Sequence, residues 1–162
     1  MEVHINNGNQ ASGLTAQPGF NITAMPLDGR PQPPTPTEAN WLWLGASLKS
    51  INIPAANSYV EVVSTVKVPA TPVVTLTIIA TLSHMHYIGR RFWVEAYSDS
   101  APTRSLACNP YYDNQNQEVI PLSPYLTISN GDTIVTHCVY NSINRTTTTV
   151  GGESVSRPYT RL

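Results

Sequence analysis

Residues 73–91 read VVTLTIIATLSHMHYIGRR, and this stretch decides how the rest of the chain is interpreted. Residues 73–81 are uncharged and rich in β-branched side chains, which predicts a strand inside a sheet. If the strand continues through His84 and His86, both imidazoles point from one face, because side chains alternate along a strand. Two neighbouring imidazoles form half of a metal site. The alternative is a pair of polar side chains on a solvated sheet face.

Strand-like segments with turn signals at close intervals lie on both sides of this stretch. A turn at Asn130-Gly131 separates two of them, and residues 26–36 are too rich in proline for a central strand. The sequence contains no internal repeat and no convincing amphipathic helix. It therefore predicts an all-β fold, an antiparallel β-sandwich of jelly-roll type, in which residues 1–162 form one domain. The predicted strands are residues 2–5, 58–66, 73–81, 91–97, 119–122, 125–128, 133–140 and 146–150.

The composition argues against two classes of partner. The formal net charge is -1 and only 12% of the residues are charged, which gives no electrostatic reason to expect nucleic acid or an anionic membrane. No apolar run reaches the length of a membrane span. No basic start followed by an apolar core is visible, so we expect no signal peptide within this sequence.

The cysteines and two glycosylation motifs bear on the setting of the chain. Cys108 and Cys138 are the only cysteines, no CxxC motif occurs, and both a disulfide and two unpaired thiols are compatible with strand-like surroundings. Asn21 and Asn144 each begin an Asn-x-Thr acceptor motif. With the low lysine content, these features favour a secreted or extracellular glycoprotein.

Four motifs occur in an order that is more specific than any one of them. The chain opens with EVHINN at residues 2–7, continues with HMHYIGRR at 84–91, and later reads NGDTIVTHCVYNS at 130–142 and NRTTTTVGGES at 144–154. This order resembles the C-terminal domain of the copper type II, ascorbate-dependent monooxygenases, the family of peptidylglycine α-hydroxylating monooxygenase and dopamine β-monooxygenase. The resemblance extends from about residue 1 to about residue 152 and implies a β-sandwich.

The resemblance also implies a copper cofactor, with zinc as a substitute, and a specific set of ligands. His84 and His86 match the two histidines of the family's oxygen-activating copper, and His4 matches one histidine of its electron-transfer copper. The family's third ligand is a methionine in a Glu-Met-Cys block, but residues 156–159 here read SRPY. Because the other electron-transfer histidines belong to a preceding domain, the resemblance implies that this chain completes neither centre alone.

Two substitutes follow from the resemblance. In the family pattern, the residue matching Cys138 forms a disulfide with the cysteine of the missing block. The neighbours of those two cysteines then share the opposite face, which implies that His137 stands near the vacant ligand position. We therefore expect a metal site of His84, His86 and His137. With the family's partner cysteine missing, the resemblance leads us to expect that Cys138 pairs with Cys108.

Two functions are compatible with this pattern. The first is a structural or interaction module derived from a copper monooxygenase domain, which is not catalytic alone and self-assembles outside the cell. A homo-oligomer or filament would form by strand contacts, because a sandwich lacking its last strand exposes an unpaired edge. The alternative is a copper- and ascorbate-dependent monooxygenase domain that hydroxylates an unactivated C–H bond with the help of a partner domain. The missing methionine and first domain favour the first function.

Overall fold

The computed structural model describes residues 12, 13, 15, 17, 39–46, 51–72, 75–99 and 101–152, and the backbone of residues 160–161. Contacts between Cα atoms divide the chain into two compact units, Met1–Asn40 and Trp41–Leu162. The strands described below all belong to the second unit. The single domain over residues 1–162 stays a prediction. The opening strand at 2–5 and the proline-rich loop at 26–36 lie outside the described residues.

Ten antiparallel strands run through the described residues, and no helix occurs among them. This confirms the predicted all-β fold. The strands are β1 (Asn52–Ile53), β2 (Val60–Lys67), β3 (Thr75–Leu82), β4 (His84–Met85), β5 (Gly89–Ser98), β6 (Ala101–Asn109), β7 (Val119–Ser129), β8 (Thr133–Tyr140), β9 (Thr149–Val150) and β10 (Thr160–Arg161).

The largest sheet has four strands in the order β2-β8-β5-β6. Every second residue is buried from Phe92 to Ala96 in β5 and from Ile134 to Cys138 in β8, as expected for strands with one face on the core and one face towards solvent. The intervening side chains, among them Trp93 and His137, occupy the outward face. The buried side chains on these two strands are Phe92, Val94, Ala96, Ile134, Thr136, Cys138, Val139 and Tyr140.

The second layer is the two-stranded sheet of β3 and β7. Ile78 and Leu126 are cross-strand partners that pack against the core, and Ile128 is fully buried within it. Burying an apolar side chain of this size stabilises a fold by about 1.5–3 kcal/mol, so a few such residues suffice to hold the layers together. The arrangement is the predicted β-sandwich.

The strand that carries the histidine pair differs from the prediction. The strand does not continue through His86: β3 ends at Leu82, Ser83 lies outside any strand, and β4 contains only His84 and Met85. The backbone of β10 pairs antiparallel with β4, with Thr160 opposite Met85. Residues 160–161 therefore supply a short strand beside the histidine motif.

Candidate metal centre

A tight turn directly after β4 positions the two histidines. The Gly89 amide donates a hydrogen bond to the His86 carbonyl at 2.8 Å, which closes a turn over residues 86–89. A Cβ atom at Gly89 would lie 2.7 Å from the Met85 Cβ, closer than real Cβ contacts allow. Only glycine therefore lets β5 start this close to the histidine motif.

The structure brings the two imidazoles of the motif together. The ring centroids of His84 and His86 lie 5.0 Å apart with an angle of 83° between the planes. His86 is 5% exposed, and His84 is half-buried. Met85 between them is buried in the hydrophobic core. Its thioether therefore belongs to the packing and does not stand in for the missing methionine ligand.

The long connection between β6 and β7 contacts the motif through two side chains. His84 Nδ1 lies 2.6 Å from Gln117 Oε1, and the Gln117 amide Nε2 donates to the Asn114 carbonyl at 2.6 Å. The Tyr112 hydroxyl donates to the Met85 carbonyl at 2.6 Å and accepts from the Met85 amide at 2.7 Å. The amide and the carbonyl of Met85 are thus both hydrogen-bonded to the Tyr112 hydroxyl.

The Tyr112 side chain is itself held in the core. Its ring packs edge-on against Phe92, with centroids 6.0 Å apart. Its amide donates to the Arg90 carbonyl at 2.9 Å, which ties the connection to the start of β5. Burial raises the pKa of Tyr112 to about 12. The hydroxyl therefore keeps its proton and can continue to donate to Met85 at neutral pH.

His137 lies in a different environment and does not join the pair. It stacks on Trp93 with ring centroids 4.4 Å apart, on the outward face of the four-stranded sheet. Its Nδ1 lies 2.7 Å from Glu61 Oε1, and its Nε2 lies 3.9 Å from Glu95 Oε2. The expected set of His84, His86 and His137 is therefore not formed. Within the described ranges, no three His, Cys, Asp or Glu side chains form a group able to hold a metal ion.

The carboxylates beside His137 are also bonded to tyrosines. Tyr59 donates to Glu61 at 2.9 Å and Tyr97 donates to Glu95 at 3.0 Å. The hydrogen bond from His137, together with that from Tyr59, holds the pKa of Glu61 below its usual value. The bond to Glu95 raises the pKa of Tyr97. Both carboxylates beside His137 are thus held in place by tyrosine hydroxyls as well as by the imidazole.

The predicted disulfide between Cys108 and Cys138 is not formed in the structure. Cys108 pairs in register with Trp93 and is exposed, whereas Cys138 pairs with Phe92 and is buried. The two residues lie on opposite faces of the same sheet with β5 between them. No side-chain rotation brings their sulfurs within bonding distance.

Three predicted sites fall outside this geometry. His4 and Asn21 lie outside the described residues. Asn144 is exposed in the loop between β8 and β9, and its glycosylation stays a prediction. The described part of the chain contains no helix that is long and apolar enough to cross a membrane.

Comparison with known proteins accounts for the histidine motif. Residues 37–157 match the model of the copper type II ascorbate-dependent monooxygenase family, C-terminal domain. The chain belongs to this family. The match covers most of the sequence, although it begins later than the resemblance in the sequence suggested. It establishes the copper-dependent family for the domain that carries His84 and His86.

Curated relatives match a shorter stretch. Tyramine beta-hydroxylase of Caenorhabditis briggsae is 31% identical over 81 residues, and dopamine beta-hydroxylase of Rattus norvegicus is 32% identical over 83 residues. Dopamine beta-hydroxylase of Bos taurus is 30% identical over 83 residues. The alignments cover 50% to 51% of this chain but only 13% to 14% of each relative. The chain therefore corresponds to a small part of these proteins.

The residues of the pair fit the copper that the family name implies. Neutral imidazole nitrogens are good ligands for copper, and two rings at this separation can contact one ion between them. His84 and His86 would hold the ion. The position of the family's methionine ligand falls within residues 156–159, outside the described residues.

Sequence analysis missed Gln117 and Tyr112 as parts of this centre. Residues 109–117 are polar and contain no strand pattern, which indicated an exposed excursion. The one available signal was Tyr112 itself, a large aromatic residue inside an otherwise polar connection.

Proposed function

We propose that this chain is a copper-binding domain that contributes two imidazole ligands to a monooxygenase copper centre and does not hydroxylate a substrate alone. The observation that carries the proposal is the 5.0 Å separation of the His84 and His86 rings beside a backbone that Tyr112 and Gly89 hold in place. When bound, copper supplies the redox chemistry by which oxygen is activated. The imidazoles of His84 and His86 would bind the ion, and the surrounding residues hold the two rings in place.

Copper is favoured over zinc in this proposal. Sites of imidazole nitrogen generally bind Cu(II) more tightly than Zn(II), following the order of stability of divalent metal complexes. A two-imidazole site also lacks the fourth protein ligand that structural zinc sites use. Zinc binding would then be weaker than copper binding and would occur at the same two histidines.

The metal proposal is tested by titrating the apo protein with Cu(II) in a calorimeter against a competing chelator. Wild-type chain should bind one copper, and His84→Ala and His86→Ala should each lose at least tenfold in affinity. His137→Ala is the control and should bind copper as the wild type does, because its ring faces Glu61 and Trp93 instead of the pair. Equal losses in His84→Ala and His137→Ala would contradict the proposed site.

The catalytic incompleteness has a test of its own. The matched relatives are named for hydroxylation of tyramine and dopamine, and the present chain covers about a seventh of their length. With copper, ascorbate, oxygen and tyramine, the isolated chain should give no hydroxylated product above that of free copper. Turnover above this background that is lost in His86→Ala would mean that the chain is a complete monooxygenase.

A second candidate function is self-association through the sheet of β3 and β7. Several apolar side chains of this sheet are exposed, including Ile79 at 44% and Tyr125 at 64%. In the part of the chain that the structure describes, β3 pairs only with β7, so a second copy has a strand edge on which to dock. Copies joined in this way would form an oligomer or, if the contact does not close, a filament.

Sedimentation across the micromolar range tests this association. Wild-type chain should associate, and Ile79→Lys should shift it to monomer. Val63→Lys is the control, since Val63 is equally exposed but lies on the four-stranded sheet. A wild-type chain that stays monomeric throughout would exclude the second function.

An extracellular or secretory setting belongs to the same proposal. The exposed position of Asn144 makes the acceptor amide accessible to a glycosyltransferase. Expression through a secretory pathway should give a chain whose mass falls on glycosidase treatment, and Asn144→Gln should remove the larger form. A secreted chain of unmodified mass would contradict glycosylation at this residue.

A further inference from the structure

The hydrogen bonds of Gln117 fix the orientation of its side-chain amide. A backbone carbonyl can only accept, so the atom that faces the Asn114 carbonyl at 2.6 Å must be the NH₂ group of Gln117. The Gln117 carbonyl oxygen then faces the His84 ring at 2.6 Å from Nδ1. The usual ambiguity between the oxygen and nitrogen of an amide is resolved by the Asn114 contact.

This orientation determines which nitrogen of His84 carries the proton. An amide oxygen is only an acceptor, so the nitrogen facing it, Nδ1, must be the protonated one. In the neutral ring the lone pair then lies on Nε2, which is the nitrogen that would bind a metal. Metal-binding histidines generally have their other nitrogen bonded in this way, and that bond sets the tautomer and the ring orientation.

Tyr112 restrains the same motif through the backbone. Its hydroxyl bonds both the amide and the carbonyl of Met85, the residue between the two histidines. One rigid side chain therefore fixes the peptide groups on either side of Met85, from which both imidazoles project. Tyr112 and Gln117 belong to the same connection between β6 and β7 and reach the motif independently.

We propose that the connection at residues 110–118 is the positioning element of the histidine pair, in which Gln117 sets the tautomer of His84 and Tyr112 fixes the backbone between the two imidazoles. The expected effect of this positioning on copper affinity rests on the proposed copper-binding function. It assigns a role to a segment whose sequence indicated only an exposed polar loop. Both are positioning residues, because neither would contact the metal.

The sequence provides a matched control beside each positioning residue. Gln115 lies in the same connection as Gln117, and its contact with Asp113 is made by its backbone amide. Tyr111 precedes Tyr112 and is 90% exposed. The variants Gln117→Leu and Tyr112→Phe should therefore be compared with Gln115→Leu and Tyr111→Phe, respectively.

The first measurement reads the tautomer of His84 in the metal-free protein. Nitrogen-15 chemical shifts of the imidazoles at mildly alkaline pH distinguish a protonated Nδ1 from a protonated Nε2, and the His84→Ala spectrum assigns the signals. Wild type and Gln115→Leu should show the proton on Nδ1, and Gln117→Leu should show an exchanging mixture of the two forms. A wild-type ring with the proton on Nε2, or an unchanged ring in Gln117→Leu, would overturn the role of Gln117.

The second measurement reads copper affinity and the Cu(II) electron paramagnetic resonance spectrum of all four variants. Loss of a residue that orients a ligand typically lowers metal affinity 10–100-fold, so a loss of about this size is expected for Gln117→Leu and Tyr112→Phe. Both should also broaden the spectrum, because the rings sample more than one arrangement. Variants that match their controls in affinity and spectrum would overturn the inference.

The two proposals fail in different ways. If wild-type chain binds no copper, the proposed function is wrong, and the tautomer measurement still decides whether Gln117 orients His84. If copper binds through His84 and His86 but the four variants behave alike, the function stands and the positioning role is wrong. Folding is checked by the thermal transition of each variant. Gln117→Glu keeps an acceptor oxygen within reach of His84 Nδ1 and should retain more copper affinity than Gln117→Asn, whose side chain is shorter.

Discussion

His84 and His137 are bonded in nearly the same way and yet differ in what they can do. Each has Nδ1 close to a side-chain oxygen, 2.6 Å from Gln117 in one case and 2.7 Å from Glu61 in the other. The oxygen is a neutral amide beside His84 and a carboxylate beside His137. An amide oxygen accepts from the imidazole without adding charge, whereas a carboxylate places a negative charge beside the ring.

The second neighbour reinforces the difference. His84 has another imidazole, His86, at 5.0 Å between ring centroids. His137 has Trp93 stacked on one face and a second carboxylate, Glu95, 3.9 Å from its other nitrogen. Whether a histidine can take part in a metal site thus depends on the groups that its neighbours present. Its position in a motif does not decide this alone.

Of the changes that separate the two histidine environments, Gly89→Ala is expected to have the largest effect. The new methyl group would lie 2.7 Å from the Met85 Cβ, so the backbone carrying both imidazoles must shift. Overpacking of this kind costs about 1–3 kcal/mol of unfolding free energy, which denaturant titration measures. Copper affinity should fall with it.

The environment of His137 provides the control for Gly89→Ala. In a background where Trp41 and Trp43 are Phe, Trp93 is the only tryptophan, and its fluorescence reports the stack on His137. That fluorescence should not change, because the four-stranded sheet is not displaced. Copper affinity equal to that of the wild type would mean that the turn does not position the pair.

A smaller effect is expected from Glu61→Gln, which gives His137 the neutral type of acceptor that His84 has. Both partners of the pair retain contact with solvent, so we expect a loss of only about 0.2–1 kcal/mol at neutral pH. Because the folded pKa of Glu61 lies below the ordinary 4.5, its contribution is complete above that pH and is lost as the pH falls through the lowered value.

Urea unfolding at several pH values from the acid range to neutrality measures this dependence. The difference in stability between wild type and Glu61→Gln should shrink as the carboxylate becomes protonated. Glu61→Gln should also acquire no copper affinity at His137, because that ring has no second imidazole beside it. A stability difference that grows with acid, or a new copper site at His137, would contradict the comparison.

Part of this centre was predictable because it depends on local periodicity. The alternation of side chains along an extended chain places residues two apart on one side, and His84 and His86 follow that rule even though the strand is broken at Ser83. The same rule places His137 opposite in direction to Cys138, as the structure shows. It does not indicate that His137 lies on the outward face of the four-stranded sheet, beside Trp93 and Glu61.

The failures have a different physical origin. The register between β5 and β6 shifts twice, between Val94 and Glu95 and between Ala96 and Ser98, and each shift changes which residues share a face. The sequence contains no marker for these irregularities, so the outward position of Cys108 was not predictable. Gln117 and Tyr112 reach the motif because of the loop conformation, which single-residue patterns do not encode.

The central claim is that copper is bound by the imidazoles of His84 and His86 and by no other histidine of the described chain. Electron spin-echo envelope modulation of the Cu(II) protein counts coordinated imidazoles directly. We expect two in the wild type, two in His137→Ala and one in His84→Ala. A count of three in the wild type, or a count that falls in His137→Ala and stays at two in His84→Ala, would contradict the account.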